Sequence, residues 1–188
     1  MNTSRLEAFS DGVIAILITI MVLEFHTPHE ATLAALRPLL PLFLSYLLSF
    51  VFLGIYWTNH HHLMHMTERV SGSVLWANLH LLFWLSLIPF TTVWMSEHYH
   101  EALPVAAYGL VDLGAGIAYS ILYTRIVRHE ANVKLHEAVG ADWKGRASHA
   151  AYALAVVLAF VWTPLSIALY AIVALAWLVP DRRIEKKI

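Results

Sequence analysis

Long apolar runs separated by short polar connections dominate the chain, and their lengths suit helices that cross a bilayer. Leu39 to Tyr56 is apolar apart from Ser45 and Ser49. Val74 to Trp94 forms a second run, interrupted by Asn78 and His80, and Pro104 to Tyr123 a third, containing Asp112. Ala147 to Trp162 and Leu165 to Val179 are joined only by Thr163 and Pro164, so they must fold back as an antiparallel hairpin. The run Gly12 to Leu23 is too short to span by itself. Ser4 and Glu7, however, have the spacing of a capping box, and a helix over residues 5–25 would reach about 31 Å at ~1.5 Å per residue. The pattern predicts an all-α membrane protein, one domain over residues 1–188. Its six spans lie near 5–25, 39–60, 73–95, 103–125, 147–162 and 165–179.

Composition narrows the function classes. The 188 residues are 59% hydrophobic and 13% charged, with a mean hydropathy of +0.63; soluble domains carry about 25% charged residues. Six spans leave only short loops, so a separate catalytic domain has no room and no enzyme activity is expected. Cysteine is absent, which removes disulfides, thiolate zinc sites and iron–sulfur clusters. The net charge of −1 provides no basic field for nucleic acid. Glu7 and Asp11 interrupt the pattern a cleavable signal peptide requires.

Charge also orients the spans. Assigning loops alternately puts Arg5, Arg69, Arg125, Arg128, Lys134, Lys144, Arg146, Arg182, Arg183, Lys186 and Lys187 on one side and only Arg37 on the other. The positive-inside rule makes the basic side cytoplasmic, with both termini on it. The polar stretch Arg125 to Arg146 reads as a helical linker on that side.

Ionisable groups inside spans are costly and mark functional candidates. The topology puts Arg5, Ser10, Asp11, Asn59, His60, Asn78 and His80, from three helices, at one cytoplasmic depth. Six residues separate Asp11 from Arg5 and place the two on different helix faces, so Asp11 needs a partner from a neighbouring helix. This cluster is either a set of interhelical hydrogen bonds fixing the first helix or a proton or ion site. His61 and His65 could hold a metal only if a carboxylate joined them, and interfacial histidines are the simpler reading. The different depths of His80 and His149 argue against a haem pair, so neither cofactor nor metal is expected. Asp112 lies mid-membrane with no assignable partner.

The first span carries a second feature. Ile16, Thr19, Ile20 and Leu23 recur at helical spacing on one face, which Gly12 extends toward the cytoplasm and Glu24 ends at the outer boundary. Such a stripe can face lipid, pack against protein or line a pore. Four copies of Glu24 around an axis would form an acidic ring that concentrates cations.

The run Arg5-Leu6-Glu7-Ala8-Phe9-Ser10-Asp11 resembles the Arg-x-x-x-Phe-Ser-Asp signature of the transmembrane protein 175 family of potassium channels. Trp57, Asn59 and His60 are similar to the family's tryptophan-then-histidine element at the end of the second span. The resemblance implies a six-span, single-repeat chain like the prokaryotic members, assembled as a homotetramer around a pore lined by the first helix. It implies a constricting ring at Ile16, with Ile20 and Leu23 also narrowing the pore and Thr19 as its polar lining residue. Arg5, Phe9, Ser10 and Asp11 are then a helix-packing network with Trp57, Asn59, His60, Asn78 and His80.

A potassium-permeable cation channel in a prokaryotic plasma membrane is therefore expected, with monovalent cations passing and no cofactor. The alternative is a proton-coupled transporter using Asp11, His60 and His80 as a relay. No span carries arginines at every third position, so a voltage sensor is not expected.

Overall fold

The computed structural model describes residues 3–67, 70–130 and 143–178. Among them lie helices α1 (Thr3–Val22), α2 (Leu40–His65), α3 (Gly72–Ser86), α4 (Ile88–Glu97), α5 (Ala102–Glu130), α6 (Trp143–Ala159) and α7 (Thr163–Leu178), and a 3-10 turn, Ala34–Leu39, runs directly into α2. No strand occurs among the described residues. Three segments, Ala34–His65, Gly72–Glu97 and Ala102–Val127, are long and apolar enough to cross a membrane, and α7 is a shorter apolar helix. Helix α1, with Arg5, Glu7 and Asp11, is not among these segments.

Several expected boundaries shift, each for a local reason. The span expected at 73–95 is two helices, α3 and α4, meeting at Leu87, whose backbone stays helical (φ −86°, ψ −14°). Pro89 causes the break, because it lacks an N–H and its ring crowds the preceding turn. Thr3 is already helical, so Ser4 lies inside α1 and is not the N-cap that the expected capping box requires. At the other end α1 stops at Val22, where Leu23 N–H donates to Ile20 O (3.0 Å) and Phe25 N–H to Val22 O (3.1 Å), tightening the last turn. Leu23 and Glu24 therefore sit just beyond the regular helix. Arg69, Lys134, the centre of the Arg125–Arg146 linker, Val179 and the basic residues from Arg182 onward lie outside the described residues, so the charge count that orients the chain falls partly there.

In hydrocarbon no water is released when helices associate, so packing and hydrogen bonds must hold them. Two apolar cores do the packing. One joins α1, α2, α3 and α5 through Ile14, Leu17, Leu53, Leu81, Leu85 and Leu122. The other joins α2, α4, α5, α6 and α7 through Phe52, Met95, Tyr108, Tyr152 and Tyr170. Helix α5 belongs to both and is the spine of the protomer. Glycines let it be approached closely: a Cβ on Gly109 would overlap the Tyr170 hydroxyl, and one on Gly114 would overlap the Trp84 ring. Helices α6 and α7 form the expected hairpin. Ser166 Oγ donates to Ala155 O (2.7 Å) near the turn, and Trp177 Nε1 donates to Ser148 Oγ (2.8 Å) at the open end.

Candidate functional site

Helix α1 has two faces of opposite exposure. At 100° per residue, Leu6, Ser10, Ile14, Leu17 and Met21 fall on one arc, and all five are buried against the protomer. Arg5, Phe9, Gly12, Ile16, Thr19, Ile20 and Leu23 fall on the opposite arc, and all seven are exposed. Ile16 is 59% exposed and Leu23 78%, against 1% for Ile14. Periodicity selected the central part of this face. Arg5 and Phe9, expected in the packing network, lie instead on the outward arc. The Thr19 hydroxyl donates to its own helix, at Ala15 O (3.0 Å) and Ile16 O (2.9 Å), so its oxygen remains available as an acceptor on that arc. Glu24 is exposed past the helix end, and its backbone carbonyl accepts from His26 Nδ1 (2.9 Å).

Polar residues hold the buried face to its neighbours in a definite order. Glu7, Ser10 and Asp11 share one turn of α1, and Trp57, His60 and His61 share one turn of α2. Glu7 Oε1 meets His61 Nδ1 at 2.7 Å, and Trp57 Nε1 donates to Asp11 Oδ1 at 3.0 Å. Near the start of α1, Thr3 Oγ1 donates to Thr67 O at 3.1 Å. As the α1 number rises its α2 partner falls, so these helices are antiparallel.

A fully buried chain of hydrogen bonds crosses between the two. Ser10 Oγ donates its one hydrogen to Leu6 O (2.9 Å), so it can only accept from Asn78 Nδ2 (2.9 Å). Asn78 must then present Oδ1 to His60 Nε2 (2.7 Å), and His60 must donate from that nitrogen. The tautomer of His60 follows from a serine two hydrogen bonds away. Its Nδ1 is buried and has no hydrogen-bond partner among the described residues. The structure thus brings Asp11, Ser10, His60, Asn78 and Trp57 to one level of the bundle.

Asn59 and His80 are not part of this chain. Asn59 Nδ2 donates back to Ile55 O (2.9 Å), although its carbonyl accepts from Tyr119 of α5 (3.1 Å). His80 is exposed and accepts from Trp84 Nε1 of its own helix (3.0 Å). Asp11, His60 and His80 therefore do not form one hydrogen-bonded relay. His61 and His65 stack with centroids 6.0 Å apart, and no group of three metal-ligating side chains occurs among the described residues.

Sequence reasoning missed two contacts. The Glu7–His61 pair was hidden because Glu7 read as half of a capping box and His61 as an interfacial histidine; the shared i, i+4 spacing of Glu7–Asp11 and Trp57–His61 was the available signal. The second is a chain through α2, α4 and α5. Tyr108 O–H and Ser49 Oγ lie 3.0 Å apart, Ser49 and Thr92 hydroxyls 2.7 Å, and Thr92 donates to Ile88 O (2.7 Å). With the Thr92 hydrogen engaged there, Ser49 donates to Thr92 and Tyr108 to Ser49. Asp112 is buried on α5, with Oδ2 lacking a hydrogen-bond partner among the described residues.

Comparison with known proteins agrees with this architecture. Residues 5–89 match the family model described as endosomal/lysosomal potassium channel TMEM175. A protein of Chryseobacterium sp. (strain P1-3), named a potassium channel, is 50% identical over 100% of this chain and 98% of its own length. One from Streptomyces collinus, with the same description, is 31% identical over 93% of this chain and 91% of its own. Among solved structures, the crystal structure of a lysosomal potassium-selective channel TMEM175 homolog from Chamaesiphon minutus superposes with a TM-score of 0.81 at 28% identity. That match covers 94% of this chain and 96% of the other. With one relative half identical along its whole length and the signature helix inside the matched region, the chain belongs to the TMEM175 family.

Proposed function

We propose that the chain is one subunit of a homotetrameric, potassium-permeable cation channel whose pore is lined by four copies of α1. One observation carries this reading. Helix α1, which carries Arg5, Glu7 and Asp11 in its first half and is not among the segments apolar enough to cross a membrane by themselves, leaves a continuous face uncovered by the described residues of its own protomer. Charged groups in a span face protein or water rather than hydrocarbon. A shared axis gives that face both. The two bacterial relatives named potassium channels support the choice of ion.

In this arrangement Ile16, Ile20 and Leu23 form successive apolar rings, which impede hydrated ions by dewetting. Thr19, between them, offers a hydroxyl oxygen to a partly dehydrated cation, and Glu24 raises cation concentration at the outer mouth. The Glu7–His61 and Asp11–Trp57 contacts and the Ser10–Asn78–His60 chain hold α1 at a fixed rotation, so the apolar face stays on the axis. The same reading puts six spans in the plasma membrane of a prokaryote with both termini cytoplasmic, following the positive-inside rule.

Reconstitution in planar bilayers under bi-ionic potassium and sodium conditions tests the proposal. Single-channel steps with a reversal potential shifted toward potassium are expected. Saturable uptake driven by a pH gradient, without unitary currents, would favour the proton-coupled transporter instead.

A further inference from the structure

A groove of about 390 Å³ opens between α5 and α6, far in sequence from the pore helix. Ile117, Ser120, Ile121, Thr124 and Arg125 line it from α5, and His149 lines it from α6. The α5 residues follow i, i+3, i+4, i+7 and i+8, one continuous helix face. We propose that this groove binds an anionic phospholipid, with its phosphate at Arg125 and His149 and an acyl chain along Ile117 and Ile121.

Position, polarity and shape each support that occupant. Helix α5 belongs to a segment apolar and long enough to cross a membrane, Ala102–Val127, and Arg125 lies two residues from its end. Tyr119 bonds the Asn59 carbonyl, so Arg125, further along α5, sits at the end of the bundle that holds the cytoplasmic turn of α2. Headgroups lie at this level, and basic pockets between helices on the cytoplasmic side are suited to anionic ones.

Within the groove polarity is graded. Ser120 Oγ donates to Gly116 O (3.1 Å) and Thr124 Oγ1 to Ser120 O (2.7 Å), so both hydroxyl hydrogens are tied into α5. Arg125 keeps a fixed positive charge, and His149 has ring nitrogens suited to a phosphate oxygen. None of the lining residues is acidic. The wall itself depends on Gly116, since a Cβ there would come within 3.0 Å of His149 Cδ2 and Nε2. With no side chain at Gly116, the imidazole lies against α5 without having to shift.

The test uses vesicles holding the full chain and a diazirine-bearing phosphatidylglycerol or the matched phosphatidylcholine, photolysed and mapped by peptide mass spectrometry. Peptides covering residues 117–125 and 149 should label about fivefold more with phosphatidylglycerol, the factor one basic side chain near the surface confers. Arg125→Gln, at an exposed position, and Arg125→Gln with His149→Gln should bring that labelling down to the phosphatidylcholine level and leave other peptides unchanged. Ile121→Trp, which fills the groove but keeps both basic groups, should lower labelling by both lipids. Equal labelling by the two lipids in the unaltered protein overturns the proposal, as does a preference that survives the double substitution. Absence of labelling by either lipid also overturns it.

Discussion

Ser10 carries a single hydroxyl hydrogen, and its donation to Leu6 O sets the direction of every later bond in the chain through Asn78 to His60. Removing that oxygen with Ser10→Ala leaves a buried amide hydrogen without an acceptor, a loss of about 1–3 kcal/mol. Thermal unfolding of Ser10→Ala, Asn78→Ala and the double variant in detergent should therefore give strongly non-additive losses, coupled by roughly 0.5–3 kcal/mol. Additive losses would mean that the two side chains act separately. The reversal potential of Ser10→Ala channels should stay where it was, since the cluster sits behind the face proposed to line the pore. At this scale span direction put Ser10, His60 and Asn78 at one depth, but it put Arg5, Asn59 and His80 there too, and these stand outside the chain. It could not reveal how they bond. Arg5 and Phe9 show the limit: membership of a contiguous motif does not say which side of a helix a residue occupies, and the 100° step puts both on the outward arc.

At the scale of elements, α5 shows how close packing replaces water exclusion inside a bilayer. Trp84 of α3 and Tyr170 of α7 fill the space that side chains at Gly114 and Gly109 would need. Gly114→Ala should lower stability by about 1–3 kcal/mol through overpacking against a rigid ring, read as a fall in the detergent melting temperature. An unchanged melting temperature would show that α3 can shift aside freely. The helices were legible as apolar runs, and the α6–α7 hairpin as a connection too short for any other geometry. The break at Leu87 was less legible. Pro89 stood in plain view, but a proline in an apolar run can bend a helix or end it, and here the backbone remains helical across the junction. The early stop of α1 at Val22 likewise had no proline or glycine at the boundary to announce it.

For the whole molecule, the account turns on what covers the outward face of α1. The described residues of one protomer leave Ile16, Thr19, Ile20 and Leu23 exposed, while the opposite face is bound by two polar contacts, a hydrogen-bond chain and an apolar core. Fourfold assembly would convert this asymmetry into a conduction path. The chain has no cysteine, so single cysteines placed on each face can be read without background. The most direct measurement is the current through reconstituted Ile16→Cys and Ile14→Cys channels on exposure to silver ions, which are close to potassium in size and bind thiolates. The account predicts rapid, irreversible block of Ile16→Cys and no effect on Ile14→Cys, whose side chain is buried in the protomer. Currents through Ile16→Cys that silver leaves untouched, together with labelling of that cysteine by a lipid-soluble maleimide, would place the face in the bilayer and contradict the account.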